Sequence, residues 1–294
     1  MLVLMGANGN IASKAAKLLL ARGEKVRVIG RVASRMQPLQ AAGAEVVVGD
    51  ALDARFLAGA FRGAEGVFTM IPPNYAAPDA RAFQNLVGAA VAEGLASAGT
   101  PRVVNLSSVG GGLSGGTGPI AGLHDQEQRL NRFAGLDLLH LRPAYFFENH
   151  LAAVPAVKAM GVFPGMIRAD VPFSQVDTRD IAAAVADELL RPGPFPARVR
   201  HLLGPRDLSM TDAARILGAA AGKPGLTYVQ APAADVKKSL VQMGLSPNVA
   251  DMFEEMCEAL SDGRIARTAP RDAENTTPTP LESFAPVFAA AVNS

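Results

Sequence analysis

An apolar run, Leu2–Met5, passes into Gly6-Ala7-Asn8-Gly9-Asn10-Ile11-Ala12, and helical periodicity starts at once with no intervening loop. Few folds accommodate a strand that becomes a helix through so short a glycine turn. Such a turn leaves backbone amides uncovered at the helix start, where the peptide dipoles favour an anion. Gly6 permits the tight bend, Gly9 removes a side chain that would obstruct a diphosphate, and Ala12 lets the helix pack close to the strand. At the head of repeated βα units, the turn reads as a dinucleotide-binding bend.

Those units are visible downstream. Short apolar runs recur at 26–29, 45–48, 66–70, 102–106 and 138–141, and residues 11–21, 35–42, 54–62, 80–96 and 125–133 place apolar side chains three and four apart. Runs such as Val103-Val104-Asn105-Leu106 are apolar on both faces, as a sheet between two helical layers requires. The expected fold class is α/β, a doubly wound parallel Rossmann sheet with a smaller, mainly helical C-terminal substrate lobe. The expected organisation is a dinucleotide-binding domain over 1–147, with 172–190 packing back onto it, and a cap lobe from 148–171 and 191–294. Helices are expected at 178–190, 211–221, 233–243 and 248–260, and the end of the chain reads as either a docked helix or a frayed tail.

Composition narrows the function classes. With 28 basic against 27 acidic side chains and no tryptophan, the chain has neither the basic excess nor the stacking surface of a nucleic-acid binder. The longest apolar stretch, near 83–100, is built of Ala and Gly and broken by Glu93, so a buried helix is expected and no membrane span. A single cysteine, Cys257, and the absence of a leader pattern place the expected location in the cytoplasm. Four histidines and one cysteine show no metal-ligand spacing, so no metal is expected.

The second strand ends in Gly30-Arg31 with Arg35 one turn later, where a carboxylate would normally hold a ribose hydroxyl. A guanidinium there pairs with a 2′-phosphate, which favours NADP(H) over NAD(H); the plainer reading is that Arg31 and Arg35 are solvated surface charges. Asp50 either accepts a hydrogen bond from adenine or caps the helix that begins near Asp53.

Together with Gly49-Asp50-Ala51-Leu52-Asp53, Met70-Ile71-Pro72-Pro73, Arg142-Pro143, Phe147-Glu148-Asn149 and Val176-Asp177-Thr178-Arg179-Asp180, these residues resemble the NmrA-like atypical short-chain dehydrogenases over nearly the whole chain. That group includes NADPH-dependent quinone reductases and NADP-sensing regulators. The resemblance implies that Gly6, Asn8, Asn10 and Ile11 line the pyrophosphate and that Arg31 meets the 2′-phosphate. It also implies that Asp50 and Ala51 border adenine, Ile71 and Pro72 lie near the ribose, Ser107 and Ser108 sit beside the nicotinamide, and Pro143 to Phe146 form the wall behind it. Two departures stand out: Asn8 replaces a common threonine, and none of Tyr75, Tyr145 and Tyr228 is followed four residues later by lysine.

Without that Tyr-x-x-x-Lys pair, hydride transfer to a quinone-like or conjugated carbonyl acceptor is favoured, because the product anion needs no strong positioned acid. The candidate proton donors are His124, taken as the start of a helix, and Tyr145, which is equally readable as an apolar wall. His140, inside a strand, reads as a satisfied core residue. The 110–122 loop reads as a mobile flap, and its Gly112-Leu113-Ser114-Gly115-Gly116 lacks the strand-to-helix context of a hydrolase elbow. The expected partner is a small apolar substrate. The alternative is a non-catalytic redox sensor acting through a protein partner, and a homodimer is compatible with either reading.

Overall fold

A computed structural model describes residues 1–294. Leu2–Met5 forms β1, and its side chains alternate between two buried faces: Leu2 and Leu4 join one apolar cluster, Val3 and Met5 the other. Each side chain removed from water in this way contributes roughly 1.5–3 kcal/mol. The chain continues through α1 (Asn10–Ala21), β2 (Val26–Gly30), α2 (Gln37–Ala41), β3 (Glu45–Val48), α3 (Ala54–Phe61), β4 (Gly66–Thr69), α4 (Ala80–Ala98), β5 (Arg102–Leu106), α5 (Ile120–Leu130) and β6 (Asp137–Pro143). Next come β7 (Tyr145–Phe146), α6 (Val154–Met160), β8 (Phe163–Gly165), β9 (Phe173–Val176), α7 (Thr178–Leu190), β10 (Val199–Leu202) and β11 (Asp207–Leu208). The chain closes with α8 (Met210–Ala220), β12 (Tyr228–Gln230), α9 (Ala233–Gln242), α10 (Pro247–Ser261) and α11 (Leu281–Asn293).

Seven parallel strands are ordered β10-β6-β5-β4-β1-β2-β3. The strand order reverses between β1 and β4, and in open α/β sheets that reversal opens a crevice at the carboxyl ends of the strands. One face is covered by α3, α4 and α5, the other by α1 and α7. Helix α1 can lie close to α7 because Ala12, Ala15 and Ala16 form its buried stripe with Ile11 and Leu19. Two small sheets, β11-β9-β7 and β12-β8, carry the chain away from the main sheet.

Two expectations need correction. Val199–Leu202 was placed in the cap lobe, yet it forms β10 and extends the main sheet beside β6. The larger apolar cluster runs from Leu4 through Phe147 and Phe163 to Phe288, so sheet and lobe share one core. Helix α5 begins at Ile120 and not at Asp125, which puts His124 inside the helix and shortens the expected flap. The end of the chain is docked: α11 packs on α8 and α6, and the Asp180 carboxylate accepts hydrogen bonds from Thr279 N–H and Oγ1–H at 3.0 and 2.7 Å. No helix is long and apolar enough to cross a membrane.

Candidate active site

At the β1–α1 turn Gly6 has φ +76°, and a Cβ there would lie 2.9 Å from the Met70 Sδ. The Gly9 N–H donates to the Gly6 carbonyl at 2.8 Å and closes the bend. Gly9 is the N-cap of α1, no side chain caps the helix, and its first turn holds no acidic residue. First-turn amides are thus left for an outside acceptor. Asn8 does something the sequence did not indicate: its Nδ2 donates to the Val32 carbonyl at 3.3 Å, and a Cβ on Gly30 would come within 2.4 Å of its Oδ1. The Asn8 side chain is therefore a strut between the turn and the segment after β2.

Arg31 and Arg35 are exposed and form no ion pair; Arg35 lies in a 3-10 turn, Ala33–Met36, not in a regular helix. Asp50 accepts the Leu52 N–H at 3.0 Å, and Asp53 caps α3 by accepting the Phe56 N–H at 3.0 Å. Near them Val32 and Leu52 are 43% and 45% exposed. Apolar groups open to water at the ends of β2 and β3 suit a flat heterocycle, and no periodicity in the sequence announces them.

A cleft of about 460 Å³ opens where β4, β5 and β6 end. Ile71, Ser107, Ser108, Tyr145 and Phe146 line it, and Met70 belongs both to its wall and to the contact with Gly6. Its roof comes from α10, through Phe253, Met256 and Leu260, and from the following segment, through Ile265 to Arg271. Gly6, Asn8, Gly9, Asn10, Ile11, Arg31, Arg35, Asp50 and Ala51 are not cleft residues; they lie along the ends of β1 to β3 and at the start of α1. Pro72 and Pro143 adjoin cleft residues without lining it. The two charged lining residues, Asp207 and Arg271, pair with each other, so the interior presents no uncompensated charge.

His124 is not part of the cleft wall. Its Nδ1 lies 2.9 Å from the Gly111 carbonyl, which can only accept, so Nδ1 carries the proton and is committed to that bond. Tyr145 does line the cleft: its ring stands edge-on to Phe173 at 5.5 Å, its hydroxyl makes no hydrogen bond within the protein, and burial pushes its pKa up. His140 is fully buried with partners on both nitrogens, accepting from Asn105 and donating to Asn131, and burial pushes its pKa down to about 4.

Beneath the cleft floor, Ser107 Oγ donates to Glu127 Oε1 at 2.5 Å, and Arg142 grips both oxygens of the same carboxylate at 2.9 and 2.5 Å. Sequence reasoning gave Glu127 no role, because its partners lie 15 and 20 residues away on other elements. Gly112 to Gly116 lies in a loop, and the Gly218–Lys223 stretch ends α8, with the Lys223 N–H donating to the Gly218 carbonyl. No three His, Cys, Asp or Glu side chains converge as a metal site would require.

Sheet order, uncapped glycine turn and crevice at the strand reversal define a Rossmann-type α/β fold. The chain belongs to the NmrA-like family, whose pattern it matches over residues 1–285. It is 27% identical over 256 residues to an NAD(P)H azoreductase from Xenophilus azovorans, covering 87% of this chain and 86% of that one. It is 26% identical over 295 residues to quinone oxidoreductase 2 of Escherichia coli strain K12, covering 98% and 99%. A crystal structure of an NADPH-dependent quinone oxidoreductase from Escherichia coli, complexed with NADPH, superposes with a TM-score of 0.78 at 22% identity, covering 97% and 98%.

Proposed function

We propose that this protein is an NAD(P)H-dependent oxidoreductase, with NADPH preferred, that reduces a small, uncharged, conjugated acceptor of the quinone or azo type. The observation that carries the reading is the continuity between two sites: Met70 touches the glycine turn on one side and walls an apolar, charge-compensated cleft on the other. The turn fits the coenzyme, since Gly6 and Gly9 leave the backbone bare and α1 lacks any cap of its own. Azoreductase and quinone oxidoreductase relatives that align over most of both chains support the same class.

Asn10 and Ile11 would offer their amides to the pyrophosphate, Arg31 would meet the 2′-phosphate, and Val32 and Leu52 would flank the adenine. A bound dihydronicotinamide supplies hydride. Phe146, Phe253, Met256 and Leu260 would hold the acceptor flat and exclude water from the transfer. Tyr145, held protonated by its burial, would donate a hydrogen bond to the oxygen or nitrogen on which charge grows, and solvent would complete the protonation. The test is to mix the purified protein with NADPH and a panel of quinones and azo compounds while following loss of the reduced-nicotinamide absorbance. Turnover with at least one acceptor is expected; coenzyme binding with no turnover across the panel would favour the sensor, and no binding would defeat both readings.

A further inference from the structure

Resting on that coenzyme reading, we propose that Glu127 is a positioning residue: it captures the Ser107 hydroxyl proton, so that Ser107 Oγ faces the cleft only as an acceptor for the N–H of the nicotinamide carboxamide. Glu127 is 1% exposed. Its Oε1 accepts from Ser107 Oγ and Arg142 Nε, and its Oε2 from Arg142 Nη2. A guanidinium is donor-only, so the carboxylate it grips is fixed in orientation and both oxygens act as acceptors.

A serine hydroxyl has one hydrogen. Once that hydrogen is given to Glu127, the remaining capacity of Ser107 Oγ is lone pairs. Its main chain is fixed by the N–H bond to the Leu141 carbonyl at 2.8 Å, its side chain by the bond to Glu127, and the residue lines the cleft. Gly111 packs beside the pair: a Cβ there would lie 2.6 Å from Ser107 Oγ and 2.7 Å from Glu127 Oε1, so only bare backbone fits at that place. The cleft floor thus presents a fixed acceptor at the end of β5. The N–H donor carried by a nicotinamide ring is its carboxamide, and accepting from it would set which ring face looks into the apolar cleft.

The experiment compares two reduced coenzymes on unmodified protein, Ser107→Ala and Glu127→Gln: NADPH, and its 3-acetylpyridine analogue, in which a methyl group replaces the amide nitrogen. Dissociation constants come from fluorescence titration, and thermal melts check that each variant folds. Ser107→Ala should weaken NADPH about tenfold and leave the analogue within about twofold of its original affinity. Glu127→Gln should lose the same discrimination, because its amide N–H can turn toward Ser107 and free the hydroxyl to rotate. If Glu127→Gln does not fold, Ser107→Ala decides alone. Equal weakening of both coenzymes, or none, overturns the proposal. Binding of neither coenzyme by unmodified protein would instead defeat the coenzyme reading on which the proposal stands.

Discussion

Gly118 sits against the Met252 carbonyl so closely that a Cβ on the glycine would come within 1.9 Å of that oxygen. The loop after β5, expected to be a mobile flap, is seated on α10 by this backbone contact. Gly118 also has φ +58°, which a side chain disfavours. Gly118→Ala should therefore destabilise the protein by about 2–4 kcal/mol, from left-handed strain and overpacking together. Urea denaturation measures it. A loss under about 0.5 kcal/mol would mean that the loop lifts freely from α10.

What the sequence disclosed was what local pattern encodes. The β1 run and the Ala-rich stripe of α1 are contiguous, so turn and periodicity reveal them together. Val199–Leu202 escaped because Val-Arg-His-Leu lies at a sheet edge, largely half-buried, and carries neither a full apolar run nor clean alternation. The start of α5 was hidden by Gly118-Pro119 and Gly122, which read as loop; yet Pro119 is the N-cap, and Gly122 is required where a Cβ would strike the Gln84 Oε1 at 2.0 Å. Glu127 was silent for a different reason. Its importance lies in three hydrogen bonds across elements, a property of the folded chain.

In the proposed coenzyme reading, the choice between NADPH and NADH would turn on Arg31, an exposed guanidinium without an ionic partner just after β2. Arg31→Ala should weaken NADPH by about ten- to hundredfold, the loss expected for a charge-assisted hydrogen bond, and leave NADH within about twofold. Calorimetric titration with both coenzymes separates the cases. Equal effects on the two would return Arg31 to the solvated surface.

Tyr145 and His124 should behave oppositely on substitution. Tyr145→Phe removes a hydroxyl that has no partner within the protein and lines the cleft, so kcat/KM for a quinone should fall about tenfold with NADPH affinity unchanged. His124→Gln removes a group committed to the Gly111 carbonyl and absent from the cleft wall, so kcat/KM should stay within about twofold. Steady-state kinetics at saturating NADPH decides, and a collapse of kcat in His124→Gln with the fold intact would restore His124 as the acid.

Acid should weaken the fold through histidines. Burial pushes His140 and His150 from 6.5 to about 4, and His201 is lowered by the same cause. His150 donates from Nε2 to Gln175 Oε1 at 2.8 Å, while its buried Nδ1 has no partner to hold a proton. A folded-state pKa below the unfolded value means that the unfolded chain binds more protons between the two. The stabilisation is complete above pH 6.5 and is lost progressively as pH falls toward 4. The two largest shifts are each worth on the order of 3 kcal/mol across that window. Urea midpoints measured through this range should fall steeply for the unmodified protein and about half as steeply for His150→Asn, which keeps a hydrogen-bond donor but cannot titrate. A flat profile in the unmodified protein would mean that these imidazoles accept protons without unfolding, and that water reaches them in the folded state.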